Sequence, residues 1–483
     1  MLDDLRDRYG SGRLLGGPLA VLVLVALIAF VFMRGTSTSS TDTDPSSPTT
    51  APLGPINTLG STGDPEPPAV TGTPEVPPGA FVNDRGSYFS TFSAPAETMA
   101  WTSSASLLFN QPLPADTPTA PDSADIAFRI DQVVRGQRLY DYASGIEDDI
   151  NSPVIVLVDS DAENFTPVRF RPGDCGATDN RWWNWTAEQF EPYINGAYAS
   201  LDKVGVPLPD GFQMREDDSD FHLVIYDWRR DTMIELWRAK TENVTGRPGL
   251  EVCWGGIVKH YAAAGTGIFP FPMGVAAAGT SAVGLTITMN DIQQGEIRHA
   301  VAVSAQFGLN DRNGTTHSYP ANRNDGGCSE VVAAIDPVVK QVTEAMDGAR
   351  YCIREGQRLR LPPDYPVDSL PTPFARMVAT AIRDYGLVLV DDAGCFCLQA
   401  ESGVSVTMNG FGSTSPWDGL YNGTNDTDVM LAIDWTKLQL LPADWGRPEG
   451  YQIVCAGPVG TGLANPVGDD ARCQAQAPAY SSG

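Results

Sequence analysis

Short apolar runs and runs with a period of two residues dominate the chain from about residue 81 onward. Such runs are typical of β-strands, in which alternate side chains point to opposite faces of a sheet. The clearest predicted strands are Pro153 to Val158, Phe221 to Tyr226, Met233 to Arg238, Ala300 to Ser304, Leu387 to Val390 and Ser405 to Thr407. The polar stretch between the second and third strands has the length of a hairpin turn, so we expect those two strands to pair.

Helical periodicity is confined to a few segments. From Phe374 to Tyr385, apolar residues recur every 3.6 residues; Thr372-Pro373 suits the start of this helix, and Gly386 suits the left-handed position after its end. A second helix is predicted to open at Pro337 and a third at Pro192. Strands separated by turns, with helices inserted among them, predict a mainly β fold, an antiparallel β-sandwich or jelly roll.

The N-terminus contains an uncharged apolar run of 20 residues from Leu14 to Met33. This is the length that a helix needs to cross a bilayer, so we predict a transmembrane signal anchor over residues 14–33. More arginines precede the run than closely follow it, which predicts a cytoplasmic N-terminus of residues 1–13 and an extracellular body. A cleaved signal peptide is the alternative, although no small-x-small site directly follows the run.

The rest of the chain divides by composition. Residues 34–80 are rich in Ser, Thr and Pro, which predicts a disordered stalk without a core of its own. Residues 81–457 form the predicted extracellular β domain, and residues 458–483 form a Gly/Pro/Ala-rich tail. The sequence therefore predicts a single-pass membrane protein that displays its domain outside the cell.

The composition narrows the possible partners. Hydrophobic residues make up 42% of the chain, which is enough to build at least one large core. Asp and Glu number 59 against 32 Lys and Arg, for a formal net charge of −27. Because such a surface repels polyanions, we expect no nucleic-acid partner.

The cysteines favour disulfides. All eight follow the stalk, at Cys175, Cys253, Cys328, Cys352, Cys395, Cys397, Cys455 and Cys473. An even number in an exported region is typical of disulfide bonding, and we expect Cys395 and Cys397 to bridge to different partners. A metal cluster is the alternative, but Cys-x-x-Cys is absent and the four histidines are scattered, so no transition-metal site is predicted.

The sequence also contains possible glycosylation sites and one acidic loop. Asn-x-Ser/Thr sequons begin at Asn164, Asn184, Asn243, Asn313, Asn422 and Asn425, and would carry glycans if modified, although chance supplies some of them. Acidic residues crowd one loop at Glu216, Asp217, Asp218 and Asp220. Such a loop can bind Ca²⁺, but a solvated acidic turn is the favoured interpretation.

An ordered set of motifs extends over roughly residues 150–445. They are Val206 to Pro209, Asp220 to Asp227, Glu235 to Ala239, Gly295 to Ala300, Tyr319 to Ala321, Gly356 to Leu361, the Phe374 helix with Gly386, and Trp435 to Leu440. In this order the chain resembles a widespread group of exported, mostly actinobacterial proteins for which no activity is established. The resemblance implies one coherent exported domain and assigns no catalytic residue. The cysteines and the Pro337 helix fall outside the shared pattern.

The candidate catalytic residues are His222, Glu235 and His299. On the paired strands, His222 shares a face with Val224 and Tyr226, and Glu235 shares a face with Trp237. A grouping of His, Glu and Trp on an open sheet face could bind and cleave a sugar, with His222 as base and Glu235 as acid. Without a paired-carboxylate motif, structural roles are the favoured interpretation, and His299 more commonly binds a loop carbonyl.

Candidate ligand-binding residues lie in two loops as well as on the hairpin. Tyr319 and Arg323 would suit a lyase-like site that neutralises a uronate, although loop packing is commoner. Trp182, Trp183 and Trp185 could form a stacking platform for sugars or a wedge in the core.

Two functions remain open from the sequence. The first is a membrane-anchored surface module that binds glycans or is structural. The second is a carbohydrate-active enzyme, either a glycoside hydrolase or a polysaccharide lyase. We predict no cofactor apart from the possible Ca²⁺, and polysaccharide is the candidate partner besides the membrane.

Overall fold

The computed structural model describes residues 81–451 with several gaps, the longest at residues 171–204 and 325–351. All described residues fall within the unit that begins at Pro65. The predicted anchor, stalk and tail, and the helices predicted at Pro192 and Pro337, lie outside the described residues. Within the described part, no helix combines the length and apolar character needed to cross a bilayer.

The described part of the chain is rich in strands, which we number in chain order. They are β1 (Phe81–Asn83), β2 (Gly86–Phe89), β3 (Ile146–Glu147), β4 (Val154–Asp159), β5 (Val168–Phe170), β6 (Leu223–Asp227), β7 (Thr232–Trp237), β8 (Lys240–Val244), β9 (Arg247–Val252), β10 (Trp254–Lys259), β11 (Val301–Ala305), β12 (Arg358–Arg360), β13 (Leu387–Asp392), β14 (Cys397–Gln399) and β15 (Gln439–Leu440). The predicted mainly β fold is therefore confirmed.

These strands form three sheets. The first sheet has the order β1-β2-β4-β6-β7-β10, the second β15-β12-β13-β11-β14-β3, and the small sheet β5-β9-β8. The sheets contain both antiparallel and parallel pairs, so the predicted antiparallel arrangement is correct only in part. Parallel pairs join β4 to β6, β11 to β13, β3 to β14 and β5 to β9. Parallel strands need a long connection, and the two strands of each parallel pair are far apart in the chain. Strand periodicity does not reveal which distant strands pair.

Most of the predicted strands are present. Five of the six are found as β4, β6, β7, β11 and β13, and the sixth, Ser405 to Thr407, lies mostly outside the described residues. The predicted hairpin is confirmed, because β6 pairs with β7 in an antiparallel register that places Val224 opposite Glu235.

The helices among the described residues are at most 12 residues long. They are α1 (Ser123–Val134), α2 (Tyr261–Ala264), α3 (Met289–Gln294), α4 (Pro373–Asp384) and α5 (Asp426–Ala432), with 3-10 turns at Ala100–Ser103, Leu108–Asn110, Val283–Leu285, Val367–Ser369 and Trp435–Lys437. The helix predicted from Phe374 is α4, and its ends are as expected. The Thr372 hydroxyl accepts a 3.0 Å hydrogen bond from the Ala375 N–H, and Gly386 follows with a φ of 91°.

The second sheet is buried on both faces, which explains why its central strands read as continuous apolar runs. Val303 and Leu389 pack on one side in the same core cluster as Val378 of α4. Ala302 and Val388 pack on the other side, together with Ala278. Residues 274–285, which we call the covering segment, lie against that second face and also contact the first sheet. The covering segment therefore links the two large sheets.

Candidate functional site

His222, Val224, Glu235 and Trp237 lie on one face of the hairpin, as the strand periodicity predicted. The face is buried, however, and the expectation of an open sheet face was wrong. Glu235 has no exposed surface, and His222 and Trp237 are only 7% and 8% exposed. The covering segment packs onto this face, and its many small residues, which include Ala276 and Ala282, let it approach closely.

Glu235 is committed to the covering segment. Its carboxylate accepts hydrogen bonds from the Ser281 hydroxyl at 2.8 Å and from the Ala282 and Val283 N–H groups at 3.1 and 3.2 Å. Burial raises the pKa of Glu235 to about 7, although these hydrogen bonds oppose the shift. With both oxygens occupied by protein donors, the carboxyl group serves to position the covering segment.

Arg323 holds the same segment through its main chain. Its guanidinium donates to the carbonyl oxygens of Gly274 at 2.7 Å, Ala276 at 2.8 Å and Ala277 at 2.9 Å. The neighbouring Asn322 side-chain amide donates to the Phe269 carbonyl at 3.1 Å. Arg323 was predicted to bind a ligand, but these contacts identify it first as a clamp on the covering segment.

The covering segment, the hairpin and the second sheet enclose a pocket of about 100 Å³. Its lining is formed by Asp220, His222, Trp237, Val275, Ala276, Ala277, Ala282, Ser304, Arg323, Asn324, Val390, Asp391 and Gln399. Three of the residues predicted from the sequence, His222, Trp237 and Arg323, are therefore brought together here. Two carboxylates, Asp220 and Asp391, line the same pocket.

A β-bulge shapes the wall of the pocket that the second sheet contributes. The register between β11 and β13 shifts after Val303, so that Val303 pairs with Leu389 but Ser304 pairs with Asp391. Val390 is the extra residue, and it lines the pocket together with Asp391. In a regular strand these two neighbours would point to opposite faces. The Val390 carbonyl accepts a 2.9 Å hydrogen bond from the Ala278 N–H of the covering segment.

Polar contacts orient the wall formed by the hairpin. The Trp237 indole N–H donates to Asp220 Oδ1 at 3.3 Å, and the Arg238 guanidinium lies 4.6 Å from the centre of the Trp237 ring. His222 Nδ1 lies 3.3 Å from the Asn151 carbonyl oxygen. An aromatic ring with fixed polar groups beside it is suited to a ligand that has both apolar and hydroxyl-bearing faces.

His299 occupies a different place. Its Nδ1 lies 2.7 Å from the Ala300 carbonyl oxygen and its Nε2 lies 3.3 Å from Asp291 Oδ2. Burial by itself would lower the pKa of His299, but the hydrogen bonds to Asp291 and Ala300 outweigh it and the net shift is upward. His299 and Glu235 are absent from the pocket lining. The predicted catalytic trio of His222, Glu235 and His299 is therefore not assembled in one site.

Tyr319 also lies away from the pocket lining. Its ring packs edge-on against Tyr451, with the ring centres 4.9 Å apart, and its N–H donates to Asp444 Oδ1 at 2.8 Å. The loop-packing interpretation thus describes Tyr319, whereas Arg323, four residues later, reaches the pocket.

Several predicted site residues lie outside the described residues. They are Trp182, Trp183 and Trp185, the acidic residues Glu216, Asp217 and Asp218, the sequons at Asn164, Asn184, Asn313 and Asn422, and Cys175, Cys328, Cys455 and Cys473. Of the remaining sequons, Asn243 is exposed on β8, and Asn425 is exposed at the start of α5. These two positions are accessible for modification.

The described cysteines differ in part from the expectation. Cys395 and Cys397 are joined to each other, so the prediction that they bridge to different partners was wrong. Cys253 and Cys352 are also disulfide-bonded. Cys395 lies in the bend before β14, and its Cα is 5.5 Å from that of Cys397, which is within the range of a disulfide. Residues two apart on a strand have side chains on the same face. The bend brings Cys395 and Cys397 close enough to bond.

Sequence reasoning missed Ser304, Asp391, Gln399 and Asn324. Asp391 carried a signal, because a charged pair directly follows the buried run of β13. No feature of the sequence predicts the bulge that places Asp391 in the pocket lining.

Comparisons with known proteins add no relative. No family model matches the chain, and neither a curated protein nor a solved structure matches it.

Proposed function

We propose that this chain is a membrane-anchored surface protein whose β domain binds a carbohydrate through the pocket between the hairpin and the second sheet. The observation that carries the proposal is the composition of that pocket, which Trp237 lines together with Asp220, His222, Asp391 and Gln399. An indole ring offers a flat apolar surface for a sugar ring, and carboxylate, imidazole and amide groups bond its hydroxyls.

The size of the pocket limits what can enter. About 100 Å³ is below the roughly 300–1,000 Å³ typical of sites for drug-sized molecules. We therefore propose that one sugar residue, such as the end of a polysaccharide chain, occupies the pocket. The apolar side chains from Val275 to Ala277 suit the ring carbons, and the polar side chains of the lining suit the hydroxyls.

The contacts of the predicted catalytic residues Glu235 and His299 favour binding without cleavage. Glu235 is saturated with protein donors, and His299 bonds to Asp291 and Ala300. A general acid or base must reach the proton that it transfers, and neither residue lines the pocket.

We propose that residues 14–33 anchor the domain and that residues 34–80 separate it from the membrane.

A second candidate function, a glycoside hydrolase, is favoured by one observation. Asp220 and Asp391 face the same pocket, and most glycosidases use a pair of carboxylates. This enzyme would use Asp220 and Asp391 in place of Glu235 and His299. The two functions predict different results for the same variants.

The experiment compares Asp391→Asn with Asp392→Asn on a panel of defined oligosaccharides. Asp392 is the matched control, because it pairs with Ala305 beyond the bulge and does not line the pocket. We expect Asp391→Asn to weaken binding at least about tenfold, since it replaces a charged acceptor, and Asp392→Asn to leave binding unchanged. Binding by wild-type protein with no cleavage products supports the module.

Cleavage that is lost in both Asp220→Asn and Asp391→Asn, with binding retained, would instead support the hydrolase. Equal binding by Asp391→Asn and wild-type protein, with no cleavage by either, would remove the pocket from consideration.

A further inference from the structure

A second cluster of chemically reactive side chains lies at the far end of β13, where the chain turns into β14. Cys395 and Cys397 flank Phe396, which is fully buried and packs edge-on against Trp435 with ring centres 5.2 Å apart. The Phe396 ring fixes this short stretch to the core. Both cysteines are buried and joined by a disulfide.

Glu147 approaches the pair from the neighbouring strand. β3 runs parallel to β14 with Glu147 in register with Gln399, and the Ala400 N–H donates to the Glu147 carbonyl at 2.7 Å. Cys395 Sγ lies 3.8 Å from Glu147 Oε1. The two sulfur atoms and one carboxylate oxygen all lie within 4.8 Å of one another, and Glu147 is the partly exposed member.

The ordinary explanation is a structural disulfide, and its position argues against that role. A disulfide stabilises mainly by restricting the unfolded chain, and the restriction grows with the length of the loop that it closes. Here the bonded cysteines are two residues apart, so little freedom is removed. The same stretch is already held by β14, which pairs with β11 on one side and β3 on the other.

We propose that Cys395, Cys397 and Glu147 form a redox-gated site for a divalent metal ion of the zinc class. In the first step a dithiol reductant transfers two electrons and two protons to the Cys395–Cys397 bond. That bond breaks to give two thiols, and the reductant becomes a disulfide. In the second step the metal ion displaces both thiol protons and binds two thiolates, with the Glu147 carboxylate as third ligand.

The ligand set selects the metal. Thiolates favour zinc-class ions over magnesium or calcium, which take oxygen ligands. Zinc binds four ligands, and we assign water as the fourth because Glu147 is partly exposed. In the oxidised state each sulfur is bonded to the other and no thiolate exists, so the disulfide closes the site.

The test uses the full-length chain, reduced with a phosphine that is then removed under anaerobic conditions, with Co²⁺ as the spectroscopic probe. We expect one equivalent of Co²⁺ to bind the reduced protein with a thiolate charge-transfer band, and Zn²⁺ to displace it. The oxidised protein should give no band. Other disulfides are also reduced by the phosphine, so a variant carrying both Cys395→Ser and Cys397→Ser supplies the background.

Glu147→Gln should weaken Co²⁺ binding at least about tenfold, and Glu296→Gln, at an exposed position, should leave it unchanged. A charge-transfer band of equal strength in the double serine variant would overturn the proposal. So would the absence of any band in reduced wild-type protein that retains its near-UV circular dichroism.

If reduction unfolds the chain, the Cys395→His variant decides without a reductant. It frees the Cys397 thiol and places an imidazole beside it. We expect that variant to bind Co²⁺ as purified, and failure to bind would count against the site.

Discussion

The Ser281 hydroxyl donates a 2.8 Å hydrogen bond to Glu235 Oε1, across the junction between the covering segment and the first sheet. Ser281 also contacts the Tyr261 hydroxyl at 2.6 Å, so the carboxyl group is part of a buried polar chain. In the proposed pocket Glu235 is thus a positioning residue for the wall rather than a group that meets the ligand.

Glu235→Gln should destabilise the domain although it preserves the size of the side chain. Both carboxylate oxygens accept from N–H groups, so an amide NH₂ in either position would oppose a donor. We expect a loss of about 1–3 kcal/mol in the free energy of unfolding, measured by urea denaturation. Glu296→Gln, at an exposed position, is the control. A variant as stable as wild type would show that the covering segment does not depend on Glu235.

Glu401→Gln should be tolerated, in contrast. The fully buried Glu401 accepts through Oε2 from the Met289 N–H at 3.1 Å and from the Thr91 hydroxyl, whereas Oε1 has no hydrogen-bond partner among the described residues. The amide can therefore keep its oxygen at the Oε2 position. We expect the variant to match wild type near pH 5 and to exceed its stability at pH 9 by more than about 1 kcal/mol, because it cannot ionise.

The measurement is the urea midpoint of both proteins at the two pH values. A variant that falls below wild type at pH 9 would contradict the assignment of Glu401 as a carboxyl group that burial keeps protonated.

The wild-type domain should lose stability as the pH rises from about 4.5 to 8. Burial raises the pKa of Glu235 from 4.5 to about 7 and that of Glu401 from 4.5 to about 8. Between the unfolded and folded values the folded state holds more protons, so each step upward in pH favours unfolding. The pKa of His299 is also raised, so its contribution is complete below 6.5 and is lost as the pH rises through its folded value.

All three groups act in the same direction. Urea midpoints at pH 5, 6, 7 and 8 should therefore fall steadily, and the fall should be smaller in Glu401→Gln. A midpoint that increased over this range would refute the prediction.

Arg323→Lys should loosen the covering segment while keeping the positive charge. The guanidinium satisfies three carbonyl oxygens at fixed angles, and an ammonium group at the end of a flexible stem cannot reproduce that fork. We expect a loss of about 1–3 kcal/mol in stability and weaker binding of any pocket ligand. Arg447→Lys, at a position 47% exposed, should change neither property.

The sequence predicted those features of the fold that depend on local pattern. The β6–β7 hairpin and the caps of α4 followed from periodicity and from Thr372 and Gly386, because strand pairing through a short turn and helix capping are local effects. The parallel pairs depended on contacts across long connections. No local pattern distinguishes a strand that pairs with its neighbour from one that pairs across the chain.

The candidate site divides in the same way. The shared face of His222, Glu235 and Trp237 was predictable because strand residues alternate. That Glu235 would turn to the covering segment, and that Arg323 would clamp it, was not predictable, because both depend on a loop that arrives from elsewhere in the chain. Asp391 reaches the pocket only through an extra residue in β13.

The bulge at Val390 has a further consequence for how this pocket can vary between related chains. The hydrogen bond from the Ala278 N–H to the Val390 carbonyl is made by main-chain atoms, so no substitution at either position removes it directly except proline at position 278, which lacks the N–H. Deleting one residue from β13 would remove this hydrogen bond. The ladder could then close without a gap, since Ser304 and Asp391 would remain opposite each other, but the carbonyl that holds the covering segment would be gone. Natural selection can therefore preserve the number of residues in β13. We expect homologues to differ in the side chains of β13 more readily than in its length.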